Sequence, residues 1–224
     1  MKQEIICREV KLLISLSFFA LICTSCSHEI IDKPIPFDEE RVKSSLEYMK
    51  DRYGIVKESP TIKPEMVVVH WTAINTFQHS YNAFVNTRLP ESRGGIAGAS
   101  PLNVAIHYLI DRDGTIYKLM PDTLFARHVI GLNHCAIGIE NVGSDEKPLT
   151  KKQLKANTYL IKELCRRHQI SYVIGHHEYT LFRNHSLWKE VDPNYLTTKT
   201  DPGDIFMRKL RKRLSSCDIS GTPD

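Results

Sequence analysis

Hydrophobic and polar positions follow two different periods along this 224-residue chain. Short runs rich in Val and Ile predict buried strands, at 66–70, 104–110, 115–119, 136–142 and 172–174. Apolar residues spaced by three and four predict helices, at 39–53, 76–85 and 150–168. Strands and helices interleave, and one pair of strands forms a hairpin. We therefore predict an α/β fold, a single domain with a central mixed β-sheet flanked by helices.

The N-terminal region has the pattern of a targeting segment rather than of a folded element. Basic residues precede an apolar run at 12–22, which is too short to span a bilayer and is typical of a secretory signal. Small residues directly before Cys26 predict a bacterial lipoprotein signal over 1–25, with Cys26 as the lipidated first residue. An ordinary signal peptide cut near Ser25 is the alternative.

The rest of the chain divides into three parts. Two prolines within 26–37 predict a tether. Asp38 is a suitable N-cap for the first helix, so we expect the folded domain to cover 38–214. Residues 215–224 are predicted to be a frayed tail.

Composition narrows the function classes. The net charge of +4 is small, and the one dense basic run, 208–213, is typical of the solvated face of a closing helix. Nucleic-acid binding is therefore not expected, and we predict a monomer. Cys135 and Cys165 lie in apolar segments and are expected in the core, whereas Cys217 falls in the tail. One disulfide is compatible with the sequence, which does not choose the pair.

Three polar residues in separate segments form a candidate metal site. His70 and His176 each follow a short apolar strand, and Asp201 precedes a Pro-Gly pair. Two imidazoles and one carboxylate can fill three corners of a zinc tetrahedron and leave the fourth open to water, which is the pattern of a catalytic site. A single histidine is more often a surface or core residue, and the chain has ten. His177 directly follows His176, and periodicity does not say which of them would coordinate.

Five short motifs occur in a fixed order around these residues. They are His-Trp-Thr at 70–72, Ala-Ile-His-Tyr-Leu-Ile-Asp-Arg-Asp-Gly-Thr-Ile-Tyr at 105–117, Ala-Ile-Gly-Ile-Glu at 136–140, Gly-His-His-Glu at 175–178 and Lys-Thr-Asp-Pro-Gly at 199–203. Together they resemble the zinc-dependent N-acetylmuramoyl-L-alanine amidases of the amidase-2 family, whose fold peptidoglycan recognition proteins share. The resemblance spans about 66–206, which is most of the mature chain.

The resemblance implies a role for particular side chains. It implies a zinc ion held by His70, His176 and Asp201, and so favours His176 over His177 as the ligand.

It also places Glu140 at the position of the family's catalytic glutamate, which activates the attacking water and passes its proton to the leaving amine. Lys199 matches the lysine that stabilises the oxyanion on the attacked carbonyl. His128 and Asn133 resemble substrate-binding residues near the metal.

Two departures from the family pattern affect these expectations. Ile106 stands where phage enzymes of the family carry a Tyr, so proton transfer would fall to Glu140 alone. Asp201 lies 25 residues after His176, farther than in shorter members of the family. The extra segment, 183–198, would either frame a substrate groove or be a passive loop.

The implied function is hydrolysis of the amide bond between N-acetylmuramic acid and L-alanine in peptidoglycan or muropeptides. The implied location is the bacterial cell envelope, with the lipid anchor at the outer membrane or the periplasmic face. The alternative is a non-catalytic peptidoglycan-binding module. Family members of that kind usually lack the third ligand, so Asp201 argues against it. A weaker alternative is cleavage of a different amide on the same scaffold.

Overall fold

The fold is built on a six-stranded sheet. The computed structural model describes residues 29–91 and 98–223, so the predicted signal peptide and the predicted lipidation site, Cys26, lie outside the described residues. The strands are β1 (Ile30–Asp32), β2 (Met66–Trp71), β3 (Tyr108–Ile110), β4 (Ile116–Lys118), β5 (Ala136–Asn141) and β6 (Tyr172–Gly175), in the spatial order β1-β4-β3-β5-β2-β6. The β3–β4 pair is an antiparallel hairpin and the other pairs are parallel, which confirms the predicted mixed sheet.

Within the described residues, four α-helices flank the sheet, namely α1 (Glu39–Tyr53), α2 (Phe77–Val85), α3 (Lys151–Arg167) and α4 (Asp204–Arg213). Their ends follow from local chemistry. The Asp38 side chain accepts a hydrogen bond from the Arg41 N–H, and Gly54 ends α1 in the left-handed conformation. Thr150 and Gln153 form a reciprocal capping box at the start of α3. None of the described helices is long and apolar enough to cross a membrane.

Alternation along the strands assigns each side chain to one face of the sheet. Val67, Val69 and Ile139 pack under α3 and α4, in the larger part of the core. Met66 and Val68 face the other side, where they pack against the 3₁₀ helix His176–Phe182 and the loop around 129–135. His70 has the same parity as Met66 and Val68, and therefore lies on the face opposite α3 and α4.

The structure corrects two predictions at the ends of the domain. The predicted tether, 26–37, contains β1, which pairs with β4, and Ile35 is buried against the α2 side of the sheet. The predicted frayed tail is also ordered at 217–220, because Ser220 exchanges backbone hydrogen bonds with Ser171 and Val173 beside β6. Both segments satisfy backbone groups at the sheet edges, a tertiary requirement that local composition does not reveal.

The three cysteines among the described residues are free thiols. Cys135 is buried, as predicted, while Cys165 and Cys217 are half-buried against the core below α3. Burial, and next the adjacent Cys217, raises the pKa of the Cys165 thiol to about 11. At neutral pH this thiol is protonated and has low reactivity.

Candidate metal centre and catalytic cleft

The candidate site lies where three parallel strands end. His70 is near the end of β2, Glu140 is near the end of β5, and the two residues are direct partners in the β2–β5 pairing. Paired residues on adjacent parallel strands project to the same face about 4.8 Å apart. Ligand sites commonly form at this edge of an α/β sheet, because the loops leaving the strands diverge there.

His70, His176 and Asp201 converge, as predicted. His70 Nδ1 lies 3.0 Å from His176 Nδ1 and 3.2 Å from Asp201 Oδ2, and His176 Nδ1 lies 3.1 Å from the same oxygen. All three side chains are buried. Tetrahedral zinc with bonds of about 2.0–2.1 Å separates its ligand atoms by about 3.3 Å. The three atoms are within a few tenths of an ångström of that spacing, so this group can hold a metal ion.

The structure also decides between the adjacent histidines. β6 ends at Gly175, one residue beyond the predicted strand 172–174, and His176 begins the 3₁₀ helix. The His176 ring enters the cluster. The His177 ring instead donates from Nδ1 to the backbone carbonyl of Asp201 at 2.9 Å, and the His177 N–H donates to the same carbonyl at 3.0 Å. His177 therefore holds the backbone of a ligand rather than acting as one.

A glycine makes this approach possible. A Cβ on Gly175 would lie 2.6 Å from the His177 ring and 2.9 Å from Pro202, closer than side-chain carbons approach one another. Glu178 fixes the same turn, because its carboxylate accepts from the Gly175 N–H at 2.8 Å and pairs with Arg211 on α4. The Gly-His-His-Glu motif therefore supplies one candidate ligand, His176, and three residues that fix the turn beside the Asp201 segment.

The protonation states in the cluster suit metal binding. Burial alone would raise the pKa of the Asp201 carboxyl, but the adjacent imidazoles, first His176 and then His70, hold that pKa well below its usual range. Burial, and next the proximity of His70, lowers the pKa of His176 to about 4. At neutral pH the carboxylate is ionised and His176 is neutral, which is the state in which both groups bind cations.

Glu140 and Lys199 lie on the cleft that opens onto this cluster. The cleft has a volume of about 220 Å³. Lys199 is close enough to His176 for its charge to lower that residue's pKa. A cation, an acidic side chain and a candidate metal centre thus share one small cavity. Tyr48, Arg127 and Thr197 also line the cleft and belong to none of the five motifs, whereas Trp71 and Thr72 are the other two residues of the His-Trp-Thr motif.

His128 and Asn133 lie beside the cluster in an arrangement that sequence reasoning did not anticipate. The His128 Nδ1 atom is 3.1 Å from His70 Nε2. Asn133 is completely buried, and its Oδ1 atom accepts from the backbone N–H groups of His128 and Val129, both at 2.8 Å. Its Nδ2 atom donates to the Tyr53 hydroxyl at 2.8 Å. Asn133 therefore holds the loop that carries His128, and its contact with substrate stays a prediction.

The segment 183–198 forms one wall of the cleft. Its end is attached to the 3₁₀ helix through Tyr179, whose hydroxyl donates to the Thr197 carbonyl at 2.7 Å and accepts from the Thr197 N–H at 2.8 Å. Its middle is attached to α1 by the Arg52–Glu190 ion pair at 2.6 Å. The wall reaches the cleft at Tyr195, whose hydroxyl accepts from Arg127 at 3.2 Å. The extra segment before Asp201 thus lines part of the cavity.

A buried amide network behind the sheet was also missed. Asn141 donates from Nδ2 to the His70 carbonyl at 3.0 Å, and Asn157 on α3 donates to Asn141 Oδ1 at 2.7 Å. The sequence signal was a polar residue, Asn157, on the apolar face of the clearest predicted helix. A buried amide is stable only when it is paired, so that position should have suggested a hydrogen-bonded partner in the sheet.

A protein-family model now identifies the group to which this architecture belongs. The model described as Amidase_2, N-acetylmuramoyl-L-alanine amidase, matches residues 60–204, which include every residue of the metal cluster and the cleft glutamate and lysine. The chain belongs to the Amidase_2 family. The match begins before β2 and ends at the start of α4, so the amidase region includes the segment 183–198. No curated protein matches the chain.

Solved structures similar to this Amidase_2 chain include amidases and a recognition protein. N-acetylmuramoyl-L-alanine amidase LysC from Clostridium intestinale is 18% identical, with 84% of this chain and 99% of LysC covered and a TM-score of 0.52. AmiD from E. coli, in complex with its substrate, is 22% identical, with 72% of this chain and 60% of AmiD covered and a TM-score of 0.49. Bumblebee PGRP-SA is 21% identical, with 88% of this chain and 100% of PGRP-SA covered and a TM-score of 0.48. The likeness to LysC confirms the predicted fold.

Proposed function

We propose that this chain is a zinc-dependent N-acetylmuramoyl-L-alanine amidase acting on peptidoglycan or on muropeptides released from it. The observation that supports the proposal most strongly is the convergence of His70, His176 and Asp201 within 3.0–3.2 Å beside a strand-borne glutamate. Two imidazoles and one carboxylate leave a fourth position open, as catalytic zinc sites do. Membership of the Amidase_2 family supports the choice of amide bond.

The donor set fits zinc better than the common alternatives. Calcium and magnesium prefer six or more oxygen donors, whereas this cluster offers two imidazole nitrogens and one carboxylate oxygen. Zinc bound there would supply a Lewis acid that polarises a carbonyl and lowers the pKa of a water molecule to about 7. The burial of the cluster keeps its surroundings low in dielectric, which strengthens such effects.

The side chains around the cluster provide the proton transfers and the charge stabilisation. Glu140 shares a face with His70 and lines the cleft, so its carboxylate can take the proton of the attacking water and deliver it to the nitrogen of the leaving amine. Lys199 lines the same cleft, where its ammonium can stabilise the negative charge that develops on the attacked carbonyl oxygen. Such acid–base catalysis contributes about 10²- to 10⁴-fold in rate.

We propose also that the domain is tethered to the bacterial cell envelope through a lipid on Cys26. The sequence around Cys26 supports this, and the several acyl chains of a bacterial lipoprotein anchor firmly where one chain does not. Metabolic labelling with a fatty-acid analogue tests it. Full-length protein should be labelled, and the Cys26→Ser variant should not be. Equal labelling of both proteins would refute the anchor.

The activity is tested with purified protein lacking residues 1–25. Metal analysis should give about one zinc per chain. Mass spectrometry of digested cell wall and of purified muropeptides should find free stem peptides beginning with L-alanine, and products should disappear with a chelator and return with zinc. Stoichiometric zinc without any cleavage would refute the amidase proposal, and peptidoglycan binding without either zinc or cleavage would favour the recognition module. Cleavage at another amide would redirect the assignment of substrate.

A further inference from the structure

A chain of three polar groups runs from the backbone of β5 into the metal cluster. The carbonyl oxygen of Ala136 lies 3.2 Å from His128 Nε2, and His128 Nδ1 lies 3.1 Å from His70 Nε2. The remaining nitrogen of His70, Nδ1, is the atom that meets His176 and Asp201. Both ring nitrogens of His70 and of His128 therefore have polar partners within 3.2 Å.

The direction of these hydrogen bonds follows from the carbonyl. A carbonyl oxygen can only accept, so His128 Nε2 must carry a hydrogen. The imidazoles of His70 and His107 and the backbone of β5 pack around the His128 ring. His128 Nδ1 and His70 Nε2 face each other at 3.1 Å, so one of these nitrogens must donate and the other must accept. A neutral ring with hydrogen on Nε2 presents an acceptor at Nδ1. His70 Nε2 must then be the donor, and His70 Nδ1 is left as a lone pair directed at His176 and Asp201.

We propose that His128 is a positioning residue that fixes the tautomer and the ring orientation of His70 for metal binding, a role different from substrate binding. The inference rests on the proposed function, because it needs His70 to be a zinc ligand. Metal-bound histidines usually donate their second nitrogen to a carboxylate, carbonyl or water. Here the acceptor is a second imidazole, whose own tautomer is set by the Ala136 carbonyl.

The surroundings of His128 are built to hold this ring in place. A Cβ on Gly138 would lie 2.9 Å from His128 Cγ and Nδ1, so the ring rests directly on a backbone that carries no side chain. Asn133 holds the backbone of the loop at His128 and Val129 through two hydrogen bonds of 2.8 Å. These contacts fix the ring from two sides, which a freely moving substrate-contacting side chain would not require.

Two substitutions of the same chemical class separate the two ends of the His128 ring. His128→Asn places an amide oxygen near the position of Nδ1, so it can accept from His70 but cannot reach Ala136. His128→Gln places its amide near Nε2, so it can bond Ala136 but offers no acceptor to His70. His134→Gln is the matched control, since His134 is a half-buried imidazole of the same loop that contacts Tyr53 rather than the cluster.

The measurement is the zinc dissociation constant by competition with a chromophoric chelator, with thermal unfolding of each metal-free protein as the check on folding. We expect His128→Gln to weaken zinc binding by about 10- to 100-fold, as loss of an outer hydrogen-bond partner does. The zinc dissociation constant of His128→Asn should stay within about 3-fold of the wild-type value, so this variant should bind zinc more tightly than the Gln variant. The control should bind zinc as wild type does. The absorption of the cobalt(II)-substituted proteins should change in the Gln variant and be recovered in the Asn variant.

Three results would overturn the inference. Wild-type affinity in His128→Gln would show that the bond to His70 is unimportant for the metal. Tighter binding by the Gln than by the Asn variant would show that the Ala136 contact and packing matter instead. A wild-type chain without stoichiometric zinc would refute the proposed function and this inference with it, whereas either of the first two results, obtained with zinc-loaded proteins, would refute the inference alone.

Discussion

The candidate centre has two halves that the chain holds in different ways. His70 and Glu140 belong to paired strands in the middle of the sheet, which we call the strand-held half. Asp201 and Lys199 belong to the segment between the 3₁₀ helix and α4, which we call the loop-held half. The first is fixed by a ladder of backbone hydrogen bonds with helices packed behind it. The second depends on a few side-chain contacts, mainly those of His177 and Tyr179.

This difference assigns different tasks to the two halves. A buried central strand cannot shift without breaking many hydrogen bonds at once, so the strand-held half gives the proton-transfer group a constant position. A loop held by a few contacts opens at a lower free-energy cost. We therefore expect substitutions near the strands to change chemistry or global stability, and those near the loop to change metal affinity and local motion.

The largest effect should come from the strand-held half. Glu140→Gln removes a proton acceptor while preserving shape, so turnover of a muropeptide should fall by about 10²- to 10⁴-fold. Zinc content and thermal stability should remain those of wild type, because Glu140 is not among the converging ligand atoms. Glu58→Gln, at an exposed position, is the control. Turnover within about 3-fold of wild type would exclude Glu140 from proton transfer.

The next largest effect should be a loss of folding stability when Asp122, which links β3 to the end of α3 beside the strand-held half, is replaced. Asp122 is buried and accepts from Tyr108 on β3, and it contacts Arg167 and His168 at the end of α3. Burial by itself raises the pKa of this carboxyl, but the hydrogen bonds from Tyr108 and His168, with the charge of Arg167, outweigh it and lower the pKa. Asp122→Asn should reduce the free energy of unfolding at pH 7 by about 1–3 kcal/mol.

The pH dependence of that loss follows from the direction of the shift. A carboxyl with a lowered pKa in the folded state adds stability above its unfolded pKa of about 3.9, and this stability is lost as pH falls through the lower folded value. Denaturant unfolding of wild type and Asp122→Asn should therefore converge as pH falls below about 4. Asp51→Asn, on the exposed side of α1, should show no such convergence. A pH-independent difference would contradict the ionic role of Asp122.

A smaller effect is expected where the loop-held half meets the 3₁₀ helix. His177→Phe keeps the ring volume but removes the Nδ1 hydrogen bond to the Asp201 carbonyl. The Asp201 backbone is then held less firmly, and zinc affinity should fall by about 10-fold. This is the lower end of the roughly 10- to 100-fold loss seen when a residue that orients a metal ligand is replaced. Titration against a chelator measures this, with His79→Phe on exposed α2 as control. An affinity loss of about 1,000-fold would instead point to direct ligation by His177.

The smallest effect should be local mobility without loss of fold. Tyr179→Phe removes the hydroxyl that both donates to and accepts from Thr197, at a cost of about 1 kcal/mol. Hydrogen exchange of the amides at 192–199 should become faster, while exchange in α3 stays constant. Tyr117→Phe on β4, the control, should leave hydrogen exchange unchanged both at 192–199 and in α3. Equal acceleration in both regions would mean that the two halves unfold together and that the distinction between them is wrong.

Sequence reasoning succeeded where one local rule was sufficient. The predicted helix at 39–53 is α1, with the predicted Asp38 cap, because both depend on neighbours in the chain. The predicted strand at 136–142 is β5, shorter by one residue. The stretch 104–107, predicted as strand, is not part of β3, because its apolar side chains pack towards α2 and its backbone bonds to other loops.

The metal cluster could be proposed from sequence because histidine and carboxylate ligands are chemically distinctive and lie in ordered motifs. The residues that position these candidate ligands could not be proposed from the sequence. Asn141, Asn157 and His177 act through hydrogen bonds to partners on other elements. Such partners are chosen by the packing of the sheet against its helices and loops, and no spacing along the chain encodes that packing.

Periodicity and motif order along the chain were sufficient to predict most of the strands and helices, the family resemblance and the candidate set of His70, His176 and Asp201. Tertiary structure alone decided that His177 binds the Asp201 carbonyl, that the segment 183–198 forms a wall of the cleft, and that His128 meets His70. The physical reason is that these outcomes depend on distances between atoms far apart in sequence. Those distances are fixed only when the sheet forms and its buried polar groups find partners.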